Sequence, residues 1–211
     1  MITSDSKILI IAPHADDETL ACGGSVAKHI ETGACVHLVV CGTREHDDPM
    51  HLVEATSQYT SVDQYEYRDE SYYSSFNALL TSVETSYNKI KPDVIYIPNK
   101  HDFNMDHKCV HEISEIVCRR FQTHAPSMVL MYEVPSSTTQ SFNNNFKCNY
   151  YECLQESHME SKILSMSKYE RELREYPNPR SEDGLWVYAR FRGMECNENL
   201  AEGFNLIYHK T

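Results

Sequence analysis

The apolar positions of this 211-residue chain fall into short runs separated by amphipathic stretches. KILIIA at 7–12 is continuous, six residues long and closed by Pro13, as in a strand buried on both faces. Residues 18–32 place Leu20, Ala21, Gly24 and Ala27 at helical spacing, and Gly33 follows as a C-cap. VHLVVCG (36–42) reads as a second strand, 50–60 as a rough helix and QYEYR (64–68) as a short third strand. A helix over 76–89, a strand over 93–98, a helix over 106–121 and a strand over 128–134 continue the alternation. Residues 135–149 are polar and turn-rich, and read as a long surface loop. Helices near 157–173 and 182–192 and a strand at 203–208 follow. This order predicts an α/β fold, a Rossmann-like, mostly parallel sheet flanked by helices. The length suits a single domain spanning 1–211, with a C-terminal helical and strand extension at about 150–211.

Composition narrows the classes. Nineteen Lys and Arg against thirty-one Asp and Glu leave a formal charge of −12, which disfavours a nucleic-acid partner. No apolar run reaches the ~18 residues of a membrane span, and the N-terminus lacks the pattern of a signal peptide. A soluble, cytoplasmic protein is the expectation. None of the eight cysteines stands two residues from another, so a thiolate zinc knuckle is excluded and inert thiols are expected.

In open parallel sheets, ligands sit beyond the carboxyl ends of the strands. Two such ends carry chemistry. The first strand runs into Pro13-His14-Ala15-Asp16-Asp17-Glu18, and the fourth into Asn99-Lys100-His101-Asp102-Phe103-Asn104-Met105-Asp106-His107. Neither has the glycines of a dinucleotide turn; Gly23 and Gly24 come a helical turn too late. Two imidazoles and one carboxylate are a common zinc set with an open fourth position. His14 and Asp17 supply two of these from one turn, and a histidine of the other loop supplies the third. Asp16 is then a second carboxylate placed to take a proton from an activated water. The plainer reading is that Asp16, Asp17 and Glu18 simply cap a helix N-terminus.

KILIIAPHADDETLACGGSVAKHIETG resembles the opening of the PIG-L/LmbE-like family of zinc-dependent N-acetylglucosaminyl deacetylases, with its (A/P)HPDDE motif and Gly-Gly helix. DFNMDHKCVHE is similar to that family's second motif, and YEVPSSTTQSF and YPNPRSEDGLWVYARFRG…AEGF to its bacterial tails. The resemblance implies a Rossmann-like deacetylase fold and hydrolysis of an N-acyl group, most often the acetamide of a glucosamine-type sugar conjugate. It implies His14, Asp17 and His107 as ligands of Zn2+ or another divalent metal, and Asp16 as general base. It also implies a small-molecule sugar substrate and the possibility of a homo-oligomer. A non-catalytic carbohydrate-binding relic and another metal-assisted amide hydrolase, a deformylase or conjugate amidase, remain as alternatives.

The chain departs from the family pattern in places. Ala15 replaces a proline. Asn104 stands where the family has a histidine credited with oxyanion stabilisation or proton donation. An Asn amide donates a hydrogen bond but is no acid, and His101 is the nearest substitute. Arg44 lies too early for the family's Arg-x-x-Glu pattern, which aligns better with His51 and Glu54. Arg180, Glu133 and Arg44 are the candidate substrate contacts, with His46, Asp47 and Asp48 also on the active edge. His111, one turn beyond His107, is a rival ligand. Tyrosines 65, 67, 72 and 73 form either a sugar-stacking wall or ordinary packing, and Trp186 belongs to an apolar helix stripe.

Overall fold

The computed structural model of the protein describes residues 2–43, 49–67, 72–142 and 146–211. Its strands are β1 (Lys7–His14), β2 (Cys35–Gly42), β3 (Ser61–Tyr67), β4 (Val94–Pro98), β5 (Met128–Tyr132), β6 (Tyr150–Cys153) and β7 (Ala201–His209). Its helices are α1 (Asp17–Glu31), α2 (Pro49–Ala55), α3 (Phe76–Ile90), α4 (Met105–Val117), α5 (Glu156–Met166) and α6 (Glu182–Cys196). All seven strands form one sheet in the order β3-β2-β1-β4-β5-β7-β6. β1 to β5 are parallel, while β7 runs antiparallel to β5 and β6 antiparallel to β7.

β1 is central, and every residue after Lys7 is buried. Its side chains alternate between two cores, as the two-residue period of a strand requires. Ile8, Ile10 and Ala12 pack with Leu20, Leu52, Met159 and Leu185 from α1, α2, α5 and α6. Leu9 and Ile11 pack on the other face with Leu79 and Val83 of α3 and Val110 and Ile113 of α4. Such a strand has no polar side, which explains the unbroken apolar run.

Several boundaries differ from the sequence reading: the helix expected over 50–60 ends at Ala55, and the strand expected over 64–68 begins at Ser61. The stretch expected to form a C-terminal extension completes the sheet, since β6 and β7 extend it beyond β5. β6 begins at Tyr150, the end of the long loop, and has too few residues to show a period. The helix expected to reach 173 stops at Met166. The chain there turns inward, burying Tyr169 so that its hydroxyl donates to Glu18 Oε1 at 2.7 Å, a tertiary bond that helix periodicity cannot foresee. Likewise α4 ends at Val117, with Cys118 as its C-cap. Gly33, at φ 87°, follows α1 in the left-handed conformation expected of a terminating glycine.

Gly24 explains itself in the fold. A Cβ there would lie 2.5 Å from Leu154 Cδ1, so only glycine lets the segment before α5 press this close to α1.

Candidate metal centre and catalytic cleft

The sheet order reverses between β1 and β4, where successive crossovers leave in opposite directions. Parallel sheets open a crevice at that switch point. His14 is the last residue of β1, Asp16 and Asp17 start α1, and His107 lies in the first turn of α4, just past the β4 loop.

His14, Asp17 and His107 each offer a ligand atom, all within 4.8 Å of one another. All three residues are at most 2% exposed. Asp17 Oδ2 lies 3.2 Å from His107 Nε2 and 3.4 Å from His14 Nδ1, and accepts the His14 backbone N–H at 3.0 Å. Asp17 Oδ1 is buried with no hydrogen-bond donor among the described residues. A second carboxylate stands behind each imidazole. Asp102 Oδ2 lies 3.4 Å from His107 Nδ1, and Asp106 Oδ2 lies 3.3 Å from His14 Nε2. Asp102 is itself anchored by the Asn104 N–H, Ser137 and Thr138. A carboxylate on the far nitrogen of a ligand histidine orients the ring and raises its basicity.

Charge follows from this crowding. Burial alone would lift the Asp17 carboxyl, but the adjacent imidazoles outweigh it and hold the group well below the usual range. Burial would lower His107, yet Asp17 and Asp102 raise it to about 10. A buried N2O donor set with an orphaned carboxylate oxygen fits a divalent cation of the zinc type.

The three acids of the first turn do different jobs, which removes the simple capping reading. Asp16 occupies the N-cap position but makes no side-chain capping bond. Its φ of 104° is strained for a non-glycine residue, and such strain concentrates at functional sites. Asp16 is fully buried, and its Oδ2 accepts from Arg180 Nη1 at 3.1 Å. Glu18 holds the turn: its Oε2 accepts the Asp16 N–H at 3.0 Å, and its Oε1 accepts from Thr19 and Tyr169. Burial pushes the Glu18 carboxyl up, offset in part by those hydroxyls. From below, the Tyr72 hydroxyl donates to Pro13 O at 2.9 Å. Gly42 makes room for it, since a Cβ there would fall 2.0 Å from that hydroxyl oxygen.

Beside the centre opens a cleft of about 880 Å³, lined by Phe103, Asn104, Met105, Asp106, Ser136, Ser137, Gln140, Arg174, Asn178 and Arg180. Arg180 is fixed there by Ser136 and Glu172 as well as by Asp16. Asn104 is the N-cap of α4, its Oδ1 accepting the Asp106 N–H at 2.8 Å. Its Nδ2 is therefore the atom it can present to the cleft.

Other candidates fall elsewhere. His101 lines a separate cavity with Lys100 and His111, so the loop carries it away from the cleft. Glu133 is 8% exposed and held by Arg192, with Nε at 2.9 Å from Oε1; this buried ion pair removes it from the substrate contacts. His111 is buried but its Nδ1 bonds Pro98 O, outside the ligand cluster. Tyr65 and Tyr67 bond serines of α3 and Tyr72 is buried, as in ordinary packing, while Tyr73 is exposed with its hydroxyl donating to Glu112 Oε1 at 3.0 Å. His29 is a satisfied core histidine, 2.8 Å from the Tyr96 hydroxyl. Arg44, His46, Asp47 and Asp48 lie outside the described residues. Sequence reasoning missed Asp102 and the support role of Glu18. The acidic residue five positions before His107 was the only signal for the first.

Comparison with known proteins agrees with this architecture. Over 176 residues the chain is 23% identical to the uncharacterized deacetylase YaiS of Escherichia coli K12, covering 77% of this chain and 89% of that protein. Its fold is similar to a conserved protein of Thermus thermophilus (TM-score 0.79, 15% identity, 98% and 96% of the two chains). It is also similar to the N,N'-diacetylchitobiose deacetylase of Pyrococcus horikoshii (TM-score 0.71, 16% identity, 96% and 84%). The 4-carboxy-2-hydroxymuconate hydratase of Pseudomonas putida shares the fold too (TM-score 0.75, 14% identity, 98% and 98%), so the fold alone does not dictate the reaction. No helix among the described residues is long and apolar enough to cross a membrane. Residues 9–118 match the PIG-L family, described as GlcNAc-PI de-N-acetylase, and with more than half of its length in that match the chain belongs to this family.

Proposed function

We propose that the protein is a zinc-dependent N-deacetylase acting on an N-acetylated amino sugar or its conjugate. The observation that carries this reading is Asp16, whose strained backbone puts a second buried carboxylate next to the His14–Asp17–His107 cluster instead of capping the helix. His14, Asp17 and His107 would hold the cation, which when bound supplies Lewis-acid polarisation of a carbonyl and a water acidic near neutral pH. Asp16 takes the proton of the attacking water and returns it to the departing amine nitrogen, which must be protonated to leave. Arg180, donating to Asp16, keeps the carboxylate oriented between turnovers. Asn104 replaces an acid by a neutral donor: its Nδ2 suits a hydrogen bond to the developing oxyanion but no proton transfer. Proton return therefore falls to Asp16 alone.

The cleft supports a substrate larger than acetamide. Its polar lining and the two arginines suit the hydroxyls of a sugar. Phe103 and Met105, 63% and 57% exposed, offer an apolar rim to an aglycone.

The test pairs metal content with acetate release. Wild type purified without an affinity-metal column should carry near one equivalent of zinc, lost in His14→Ala and His107→Ala. N-acetylglucosamine conjugates should release acetate with wild type only. Tight sugar binding with no acetate release would favour a binding relic; a protein that takes up no metal would sink the hydrolase reading.

A further inference from the structure

A second cavity, of about 490 Å³, opens on the other side of the β4–α4 loop, lined by Lys100, His101, His111, Glu115, Lys147 and Asn205 with Met131 and Ile207. In a chain of formal charge −12, two lysines and two histidines against one glutamate make a local exception that favours an anion.

His111 specifies the anion further. It is 3% exposed, and its Nδ1 lies 2.8 Å from Pro98 O. A carbonyl only accepts, so Nδ1 carries a proton; burial disfavours a second one, lowering the ring's pKa from its ordinary value, and the neutral ring presents Nε2 as a lone-pair acceptor. Nε2 is buried with no hydrogen-bond partner among the described residues. Glu115 Oε1, another acceptor, stands 3.5 Å from it, too far and of the wrong kind to satisfy it. Two acceptors lining one cavity suit a ligand that brings a hydrogen-bond donor, and two lysines against one glutamate suit a ligand that is also negative.

We propose that this cavity is a binding site for a phosphate group in its hydrogenphosphate form, as inorganic phosphate or a phosphate monoester. Its P–OH donates to His111 Nε2 or Glu115, while the remaining oxygens accept from Lys100, Lys147 and the Asn205 amide. Met131 and Ile207 leave room for the apolar start of an ester group. The site is separate from the His14–Asp17–His107 cluster, with which it shares the loop following Pro98 and helix α4, where His107 precedes His111 by one turn. It does not depend on the deacetylase reading.

Titration calorimetry at about pH 6 on the full chain tests this, with inorganic phosphate, methyl phosphate and sulfate as probes, because a monoester with a second pKa of about 6 keeps its P–OH there in about half of the molecules. Phosphate should bind saturably and more tightly than sulfate, which has no O–H to donate. Lys100→Ala/Lys147→Ala, at two exposed positions that leave the core intact, should weaken phosphate at least about tenfold. His111→Leu should erase the preference for phosphate over sulfate. Tighter methyl phosphate than phosphate would identify a monoester as the natural form, and the reverse the free ion. Equal binding of sulfate and phosphate to wild type overturns the proposal. So does phosphate binding that survives in the lysine double variant, or that vanishes in Asp17→Asn and so belongs to the metal cluster.

Discussion

Two buried polar clusters lie along α1, and they solve opposite problems. At the middle of the helix, Lys162 of α5 donates to Glu202 Oε1 at 2.6 Å and to Leu20 O at 2.8 Å. Glu202 of β7 in turn accepts the N–H groups of Gly24 and Ser25 at 3.0 and 2.7 Å. One cation meets one anion there, and the backbone uses what is left. At the helix start, Asp16, Asp17, Asp102 and Asp106 crowd two histidines and one arginine, and Asp17 Oδ1 has no donor among the described residues. A satisfied cluster holds α1, α5 and β7 together. An acceptor-rich one leaves a buried carboxylate oxygen without a donor among the described residues, as a cation-binding cluster would. Burial alone therefore does not mark a site; imbalance between donors and acceptors does.

The sharpest way to break this contrast is at the acidic turn. Asp16→Asn should keep metal and fold yet lose turnover by about 10²–10⁴, read as acetate release beside metal content; near wild-type turnover would remove Asp16 as the base. In the satisfied cluster, Lys162→Met should cost about 3–5 kcal/mol, because Glu202 is left buried and unpaired. Denaturant unfolding measures this, and Lys162→Met/Glu202→Leu should recover part of it. Metal content should not change in either variant, which separates the two clusters.

The next effect is on pH. In metal-free protein His107 is raised from 6.5 to about 10, so the folded state holds that proton more tightly than the unfolded chain. The linked stability is complete below about 6.5 and is lost as pH climbs through about 10. The Tm of chelated protein should fall over that window more steeply than that of His107→Gln, which has no such proton to lose. Parallel profiles would dismiss the Asp17–His107–Asp102 pairing. The smallest effect is Tyr72→Phe, which frees Pro13 O beneath the active turn and should cost about 1 kcal/mol with metal content unchanged.

The sequence was most legible where one residue's role follows from its neighbours in the chain. β1 is an unbroken apolar run because it is buried on both faces, and His14, Asp16 and Asp17 lie within one turn directly after it. His107 opens a helix after the other active strand. Those local facts, with the family motifs, point to the fold class and to the three residues, His14, Asp17 and His107, that the structure brings together. Residues whose surroundings depend on distant partners were not legible in the same way. Glu133 and His101 sit near strand ends, yet one is held by Arg192, 59 positions away, and the other faces a different cavity. Arg180 was legible only as substrate or scaffold; that it reaches Asp16, 164 positions earlier, is visible only in space.

By itself, then, the sequence determined the alternation of strands and helices, the buried central strand and the two acidic, histidine-bearing turns at strand ends, because those rest on periodicity and short spacing. The tertiary structure alone decided that β6 and β7 extend the parallel sheet, that Asp102 backs His107, that Glu18 holds the strained Asp16 turn, and that the β4–α4 segment borders both the His14–Asp17–His107 cluster and a second cavity lined by Lys100 and Lys147. Each of these is a pairing between segments far apart in the chain, and side-chain direction across such distances is set by packing, which no local pattern encodes.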